Sequence, residues 1–193
     1  MIKTQEELLK AIDDPSFDFF ITSDTWFGRK QIIDIANRPF STLNEMNDTL
    51  VEKWNEKVSK SDIVFHLGNF AWDPITAENM LSRLNGNIIF CVSDDDDAIS
   101  LMSEADETIN IIDNDIVILE ERDLVLCHYP LRVWPGKSSG TIHIHGHTIF
   151  SHKTNLTEEL RINACIDFWN YAPIRFSTLK DLINEQNLSS TSK

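Results

Sequence analysis

Residues 141–149 read TIHIHGHTI. His143 and His145 alternate with isoleucines, so they share one face of a strand, and Gly146-His147 follows them. Imidazoles at this density suit metal ligation or proton transfer. The comb stops at Ile149, a side chain that cannot hold a metal. Other polar residues gather where apolar runs end: Ser23-Asp24, Gly68-Asn69, Ser93-Asp94, His128-Tyr129 and His145-Gly146-His147. In α/β folds, ligands bind in the loops beyond the carboxyl ends of strands. Five strand ends that each finish in an oxygen or nitrogen donor predict a metal site of mixed carboxylate, amide and imidazole character.

An alternation of strands and helices must hold those ends. DFFITSD (18–24), DIVFHLGNF (62–70) and NIIFCVSDDDD (87–97) read as strands running into loops, as do IVILEE, DLVLCHYP, TIHIHGHT and RINACIDFW further on. RKQIIDIANRPF predicts a short helix stopped before Pro39. Segment 41–58 predicts a helix capped by Ser41 or Thr42, with Leu43, Met46, Leu50, Val51, Trp54 and Val58 at helical spacing. TAENMLSRLNG predicts a helix closed by Asn85-Gly86, and FSTLKDLINEQN a C-terminal one. MIKTQEELLKAIDD has the pattern of an amphipathic helix, not of a signal peptide. One domain over residues 1–187 with a flexible tail at 188–193 is the economical expectation.

The bulk properties narrow the function classes. The net charge is −14 over 193 residues. That field repels phosphate backbones, so general nucleic-acid binding is not expected, and a protein partner with a basic surface is favoured. No run approaches the ~18 apolar residues of a membrane span, and a cytoplasmic location is expected. Cys91, Cys127 and Cys165 each sit in an apolar run, which predicts reduced core thiols and not a disulfide framework.

Taken in order, FITSDTWFGRKQII, NRPFSTLNEMNDTLVEKWN, DIVFHLGNF, LNGNIIFCVSDDD, LCHYPLRVWPG, IHIHGHT and RINACIDFWNYAPI resemble the calcineurin-like metallophosphoesterases, within them the small phage and bacterial branch. The resemblance covers roughly residues 18–176. It implies an α/β fold, a four-layer αββα sandwich of two central mixed sheets flanked by helices, with two metals at the strand ends. It also implies a phage or host-cytoplasm setting. In that family two divalent cations generate hydroxide and neutralise phosphate. The motifs are D-x-H, G-D, G-N-H-D, a lone His and G-H-x-H.

Laid on this chain, the resemblance assigns Asp24 to the first aspartate and Trp26 to the histidine two places on. Asn69 takes the bridging aspartate, Ser93 the glycine, Asp94 the metal-binding asparagine and Asp95 the catalytic histidine. His128 and His147 are kept, and Ile149 replaces the last histidine. The first metal therefore retains only Asp24 and a weak amide oxygen, and its site is expected to be empty, with Trp26 and Ile149 filling the volume. The second metal would have Asn69, Asp94, His128 and His147, an exchange of amide and carboxylate that preserves charge. Either one divalent transition metal (Mn, Zn or Ni) binds there, or Asn69 and Asp94 are drift at a dead site.

Other residues have second roles. Arg29 follows Phe27-Gly28 near the implied phosphate site, where it contacts an anion or offsets Asp24. Asp95 and Arg29 are the candidate catalytic residues. His66, His143 and His145 are expected in packing or in holding ligands, and Asp96 and Asp97 in a solvated loop. Trp26, Trp72, Trp134 and Trp169 are expected in the core, with Trp134 in its Pro-Gly loop the candidate for exposure. Two functions follow. The favoured one is a pseudoenzyme that keeps the phosphoesterase scaffold and binds another macromolecule. The alternative is a single-metal phosphomono- or diesterase.

Overall fold

The computed structural model describes residues 10, 12–92, 96–106, 108–112, 115–149 and 160–190. Short runs rich in branched and aromatic residues form the strands β1 Phe20–Thr22, β2 Ile63–His66, β3 Asn87–Cys91, β4 Asn110–Ile112, β5 Ile116–Leu119, β6 Leu124–Cys127, β7 Ile142–His145, β8 Arg161–Asn163 and β9 Ile174–Arg175. They make two sheets, ordered β4-β3-β2-β1-β9 and β5-β6-β7-β8. In the first, β1 to β4 are parallel and β9 is antiparallel to β1. In the second, β6 to β8 are parallel and β5 is antiparallel to β6. Both sheets are therefore mixed.

Parallel neighbours need crossovers. In the first sheet these are α1 Gln31–Ile35 and α2 Leu43–Lys57 after β1, α3 Pro74–Arg83 after β2 and α4 Asp97–Ala105 after β3, while α5 Phe176–Ser190 follows β9. The helix starts are written locally. The Thr42 hydroxyl accepts the Glu45 N–H at 3.1 Å, and Glu45 accepts the Ser41 N–H at 2.7 Å, a reciprocal cap. Asp73 accepts the Thr76 N–H at 2.9 Å ahead of Pro74 in the first turn.

Strand alternation sorts side chains into two cores. Ile21, Phe65, Leu67, Ile89 and Ile112 meet Val117, Leu119, Leu124, Leu126, Ile144 and Ile162 between the sheets, and Phe176, Leu179 and Ile183 of α5 join them. On the other face of the first sheet, Phe20, Val64, Ile88 and Phe90 pack against Met46, Leu50 and Trp54 of α2, Ala77 and Met80 of α3, and Ala98 and Ile99 of α4. On the outward face of the second sheet, the loop between β6 and β7 lies over His143. The Trp134 ring sits 5.2 Å from the imidazole, and its indole N–H donates to the Thr141 carbonyl at 2.8 Å. Among the described residues, no helix is long and apolar enough to cross a membrane.

Several expectations need correction. Trp134 is buried, because its N–H has a carbonyl partner, and the exposed tryptophan is Trp72 at 57%. Asp96 is not solvated. It is buried, and its carboxylate accepts the Phe70 N–H at 3.0 Å. Helix α4 and the short strands β4 and β9 are additional elements. The Asp run hid the start of α4, although acidic residues suit a helix N-terminus. Helix α3 begins at Pro74, two residues ahead of the predicted start. Helix α5 runs to Ser190, through half of the expected tail, since Leu188-Ser189-Ser190 contains no breaker. Most of the expected N-terminal helix, and residues 191–193, lie outside the described residues. The three cysteines are free and buried.

Candidate metal centre

The end of β1 delivers Asp24 in the left-handed region, with φ 58°. Its carboxylate is buried and accepts three hydrogen bonds: from the Ser23 hydroxyl at 2.7 Å, the Asn69 amide at 2.8 Å and the His147 backbone N–H at 2.9 Å. Burial pushes its pKa above the usual carboxylate range, against the lowering effects of Asn69, His128, Ser23 and His147. The loop is gripped from behind by Arg38, which the sequence reading did not single out. Its guanidinium donates to the carbonyls of Asp24 at 2.7 Å and Thr25 at 2.9 Å, and grips Asp167 with two bonds of 2.8 Å. The available signal was an arginine fixed before Pro39 in a strongly acidic chain. Arg29, by contrast, forms no ion pair with Asp24. Its guanidinium lies over the Trp26 ring, 4.1 Å from the centroid.

The end of β2 delivers His66 and Asn69. The Thr25 hydroxyl gives its proton to the Phe70 carbonyl at 2.8 Å, so at 3.0 Å it accepts from His66 Nε2–H. Among the described residues His66 Nδ1 is left buried without a partner, and Asn69 Oδ1 is in the same condition. Burial first, and then the His128 charge, lower the His66 pKa to about 3. The unfolded chain takes up this proton near 6.5, so the contribution to stability is present above about pH 6.5 and is lost as pH falls toward 3. Its slope is about 1.4 kcal/mol per pH unit. Urea unfolding at pH 7 and pH 5 should differ by about 2 kcal/mol from this residue alone. His66→Phe, beside Phe70 and Phe90, should flatten the slope by that amount; parallel slopes for the two proteins would contradict the assignment.

The ends of β6 and β7 bring the remaining imidazoles together. The Leu67 carbonyl can only accept, so His128 Nδ1 donates to it, at 2.5 Å. That leaves His128 Nε2 as the lone-pair atom, which accepts from His147 Nδ1–H at 3.1 Å. The Tyr129 ring stands 4.8 Å from His128 and 4.9 Å from His147. Gly68, at φ 95°, makes this approach possible, because a Cβ there would sit 2.5 Å from His128 Nδ1 and 2.9 Å from Asp96 Oδ2. His143 is fully used elsewhere: Nδ1 donates to the Val125 carbonyl at 3.2 Å and Nε2 accepts the Leu131 N–H at 3.1 Å. His145 Nδ1 donates to the Gly146 carbonyl at 2.8 Å.

No protein-family model matches the chain. It is 30% identical over 177 residues to the uncharacterized protein MJ1445 of Methanocaldococcus jannaschii, a match spanning 86% of this chain and 91% of that protein. The chain belongs to the MJ1445 family. A solved structure shares the fold: that of the protein of unknown function AQ665 from Aquifex aeolicus, with TM-score 0.61 and 22% identity over 86% of this chain and 99% of that one.

In this MJ1445-family chain the predicted site residues divide into three groups. Asp24, Asn69, His128 and His147 are brought together, linked through the Asp24 carboxylate and the imidazole pair. Asp94 and Asp95 lie outside the described residues. Trp26 and Ile149 belong to the apolar core beside α2 to α4, Trp26 buried and Ile149 half-buried. Among the described residues, no three His, Cys, Asp or Glu side chains form a metal-binding group. The atoms that fit a metal are fewer but well aimed. Two imidazole nitrogens at 3.1 Å suit neighbouring ligands of one ion with metal–nitrogen bonds of about 2.0–2.1 Å. The Leu67 carbonyl fixes the tautomer that leaves the lone pair on His128 Nε2, and Asn69 Oδ1 is a buried oxygen without a donor among the described residues. The first seat fits poorly, since the carboxylate of Asp24 already faces three protein donors, and the positions implied for two of its histidines hold an indole and an isoleucine that pack in the apolar core.

Proposed function

We propose that this chain is a metallophosphoesterase-like pseudoenzyme, an αββα sandwich in which the first metal seat is closed and the second holds one divalent transition metal, Mn, Zn or Ni. The supporting observation is the contrast between the two seats. Asp24 is saturated by three protein donors from Ser23, Asn69 and His147, whereas His128 Nε2 and His147 Nδ1 share one proton that a metal can displace, and among the described residues Asn69 Oδ1 has no partner. His128, His147, Asn69 and Asp94 would hold the ion, which when bound polarises a phosphoryl oxygen. Leu67 keeps His128 in the ligating tautomer, and Asp24 keeps the His147 backbone and the Asn69 amide in place.

Turnover needs more than this. Asp95 stands where the resembling family has a histidine and is a poorer proton donor at pH 7. Loss of the bridging carboxylate, two further ligands and the acid within one catalytic unit leaves little activity, although such losses do not add simply. The role that remains is binding, and a net charge of −14 favours a basic protein surface as the partner. With Mn, an aryl phosphodiester and an aryl phosphomonoester should turn over no faster than in buffer. Turnover that His147→Ala abolishes would overturn the pseudoenzyme reading in favour of a single-metal phosphoesterase. The intact imidazole pair is the observation that favours this second reading.

A further inference from the structure

Arg29 has an unusual setting for a cation in an acidic protein. Its guanidinium carbon lies 4.1 Å from the Trp26 ring centroid and 5.1 Å from that of Trp72. Two indoles thus hold the group and neutralise part of its cost of burial. Yet its Nε is buried with no acceptor, and among the described residues no carboxylate or carbonyl takes any of its five N–H donors. A buried Nε–H without an acceptor is costly unless a ligand supplies one. It borders a pocket of about 370 Å³ lined by Trp26, Arg29, Ala71, Trp72, Asp97 and Ala98. That is within the size range of small-molecule sites.

The pocket wall carries both signs of charge. A simple anion would satisfy Arg29 but meet the Asp97 carboxylate. A simple cation would suit Asp97 and the indoles but meet Arg29. The fitting ligand is flat, with an acceptor edge for a guanidinium and a donor edge for a carboxylate. Guanine has both: O6 and N7 form the acceptor pair that arginine grips with two bonds, and N1–H with the 2-amino group forms a donor pair for a carboxylate. Its face can stack on Trp72, which is 57% exposed. Adenine lacks the paired acceptors on one edge and the paired donors on the other. We propose that the pocket formed by Trp26, Arg29, Trp72 and Asp97 is a binding site for a guanine base.

This inference rests on the pocket and not on His128, His147 or Asn69, so it and the second metal seat can fail separately. The test is calorimetric titration of the full chain with guanosine, adenosine and inorganic phosphate, before and after Trp72→Ala and Asp97→Asn. Both positions are exposed, and circular dichroism would verify that the variants fold. Guanosine should bind saturably, one per chain, at least tenfold tighter than adenosine. Trp72→Ala should weaken it about tenfold or more, and Asp97→Asn should erase the preference over adenosine. Equal binding of the two nucleosides would overturn the proposal in favour of unselective stacking. Phosphate binding without nucleoside binding would overturn it in favour of a bare anion site, and no binding of any of the three would also overturn it.

Discussion

Arg38→Ala is expected to cost the fold about 3–5 kcal/mol, the scale for removing one partner of a buried ion pair. The Arg38 side chain is fully buried and that of Asp167 is 9% exposed, so solvent cannot replace the lost cation. The variant strands the Asp167 carboxylate, leaving it among the described residues only the weak Cys165 thiol at 3.2 Å as a side-chain donor. It also frees the carbonyls of Asp24 and Thr25, the residues that turn the chain at the end of β1. The loss should appear as a lowered urea midpoint with little change in slope. Arg38→Lys should recover only part of it, because a single ammonium cannot make four directed bonds. A loss of stability below about 1 kcal/mol would mean that the loop holds itself.

Gly68→Ala is expected to disturb the proposed second metal seat and the fold together. At φ 95° any side chain is strained, and the new Cβ would lie 2.5 Å from His128 Nδ1. Left-handed strain of about 1–2 kcal/mol and crowding of about 1–3 kcal/mol together predict a loss of about 2–5 kcal/mol. His128 can relieve the clash only by leaving the Leu67 carbonyl, which would release the tautomer and turn Nε2 away from His147. Gly140→Ala separates the two contributions. Gly140 has φ 97° with nothing within 4 Å of the added carbon, so that variant carries the strain alone. Unfolding curves of the pair should differ by the crowding part, and equal losses would show that His128 is not held where the geometry has it.

Much of this was legible because each signal is local. Helix α2 is written by its Thr42 cap and by Met46, Leu50 and Trp54 at helical spacing, all of which are buried. The meeting of Asp24, Asn69, His128 and His147 follows from strand ends in parallel order, and the resemblance supplied their pairing. What was hidden depends on distant partners. Arg38 is 129 residues from Asp167, and no local pattern joins them. Asp96 looks like one carboxylate in a solvated run, whereas its carboxylate is buried against the Phe70 N–H, 26 residues away. Trp134 and Trp72 exchanged their expected exposures because the burial of an indole depends on where its N–H finds a carbonyl. Strands as short as β9, with 2 residues, carry too little pattern to be read at all.

The most direct test of one closed and one open seat is the metal content of protein purified without chelator. Mass spectrometry would count Mn, Zn and Ni in the wild type and in His128→Ala/His147→Ala. The two-seat account predicts about one ion per chain in the wild type and none in the double variant. Two ions per chain would mean that Asp24 is not spent on its three donors. No ion in either protein, or one ion retained without the histidines, would contradict the assignment of the second seat.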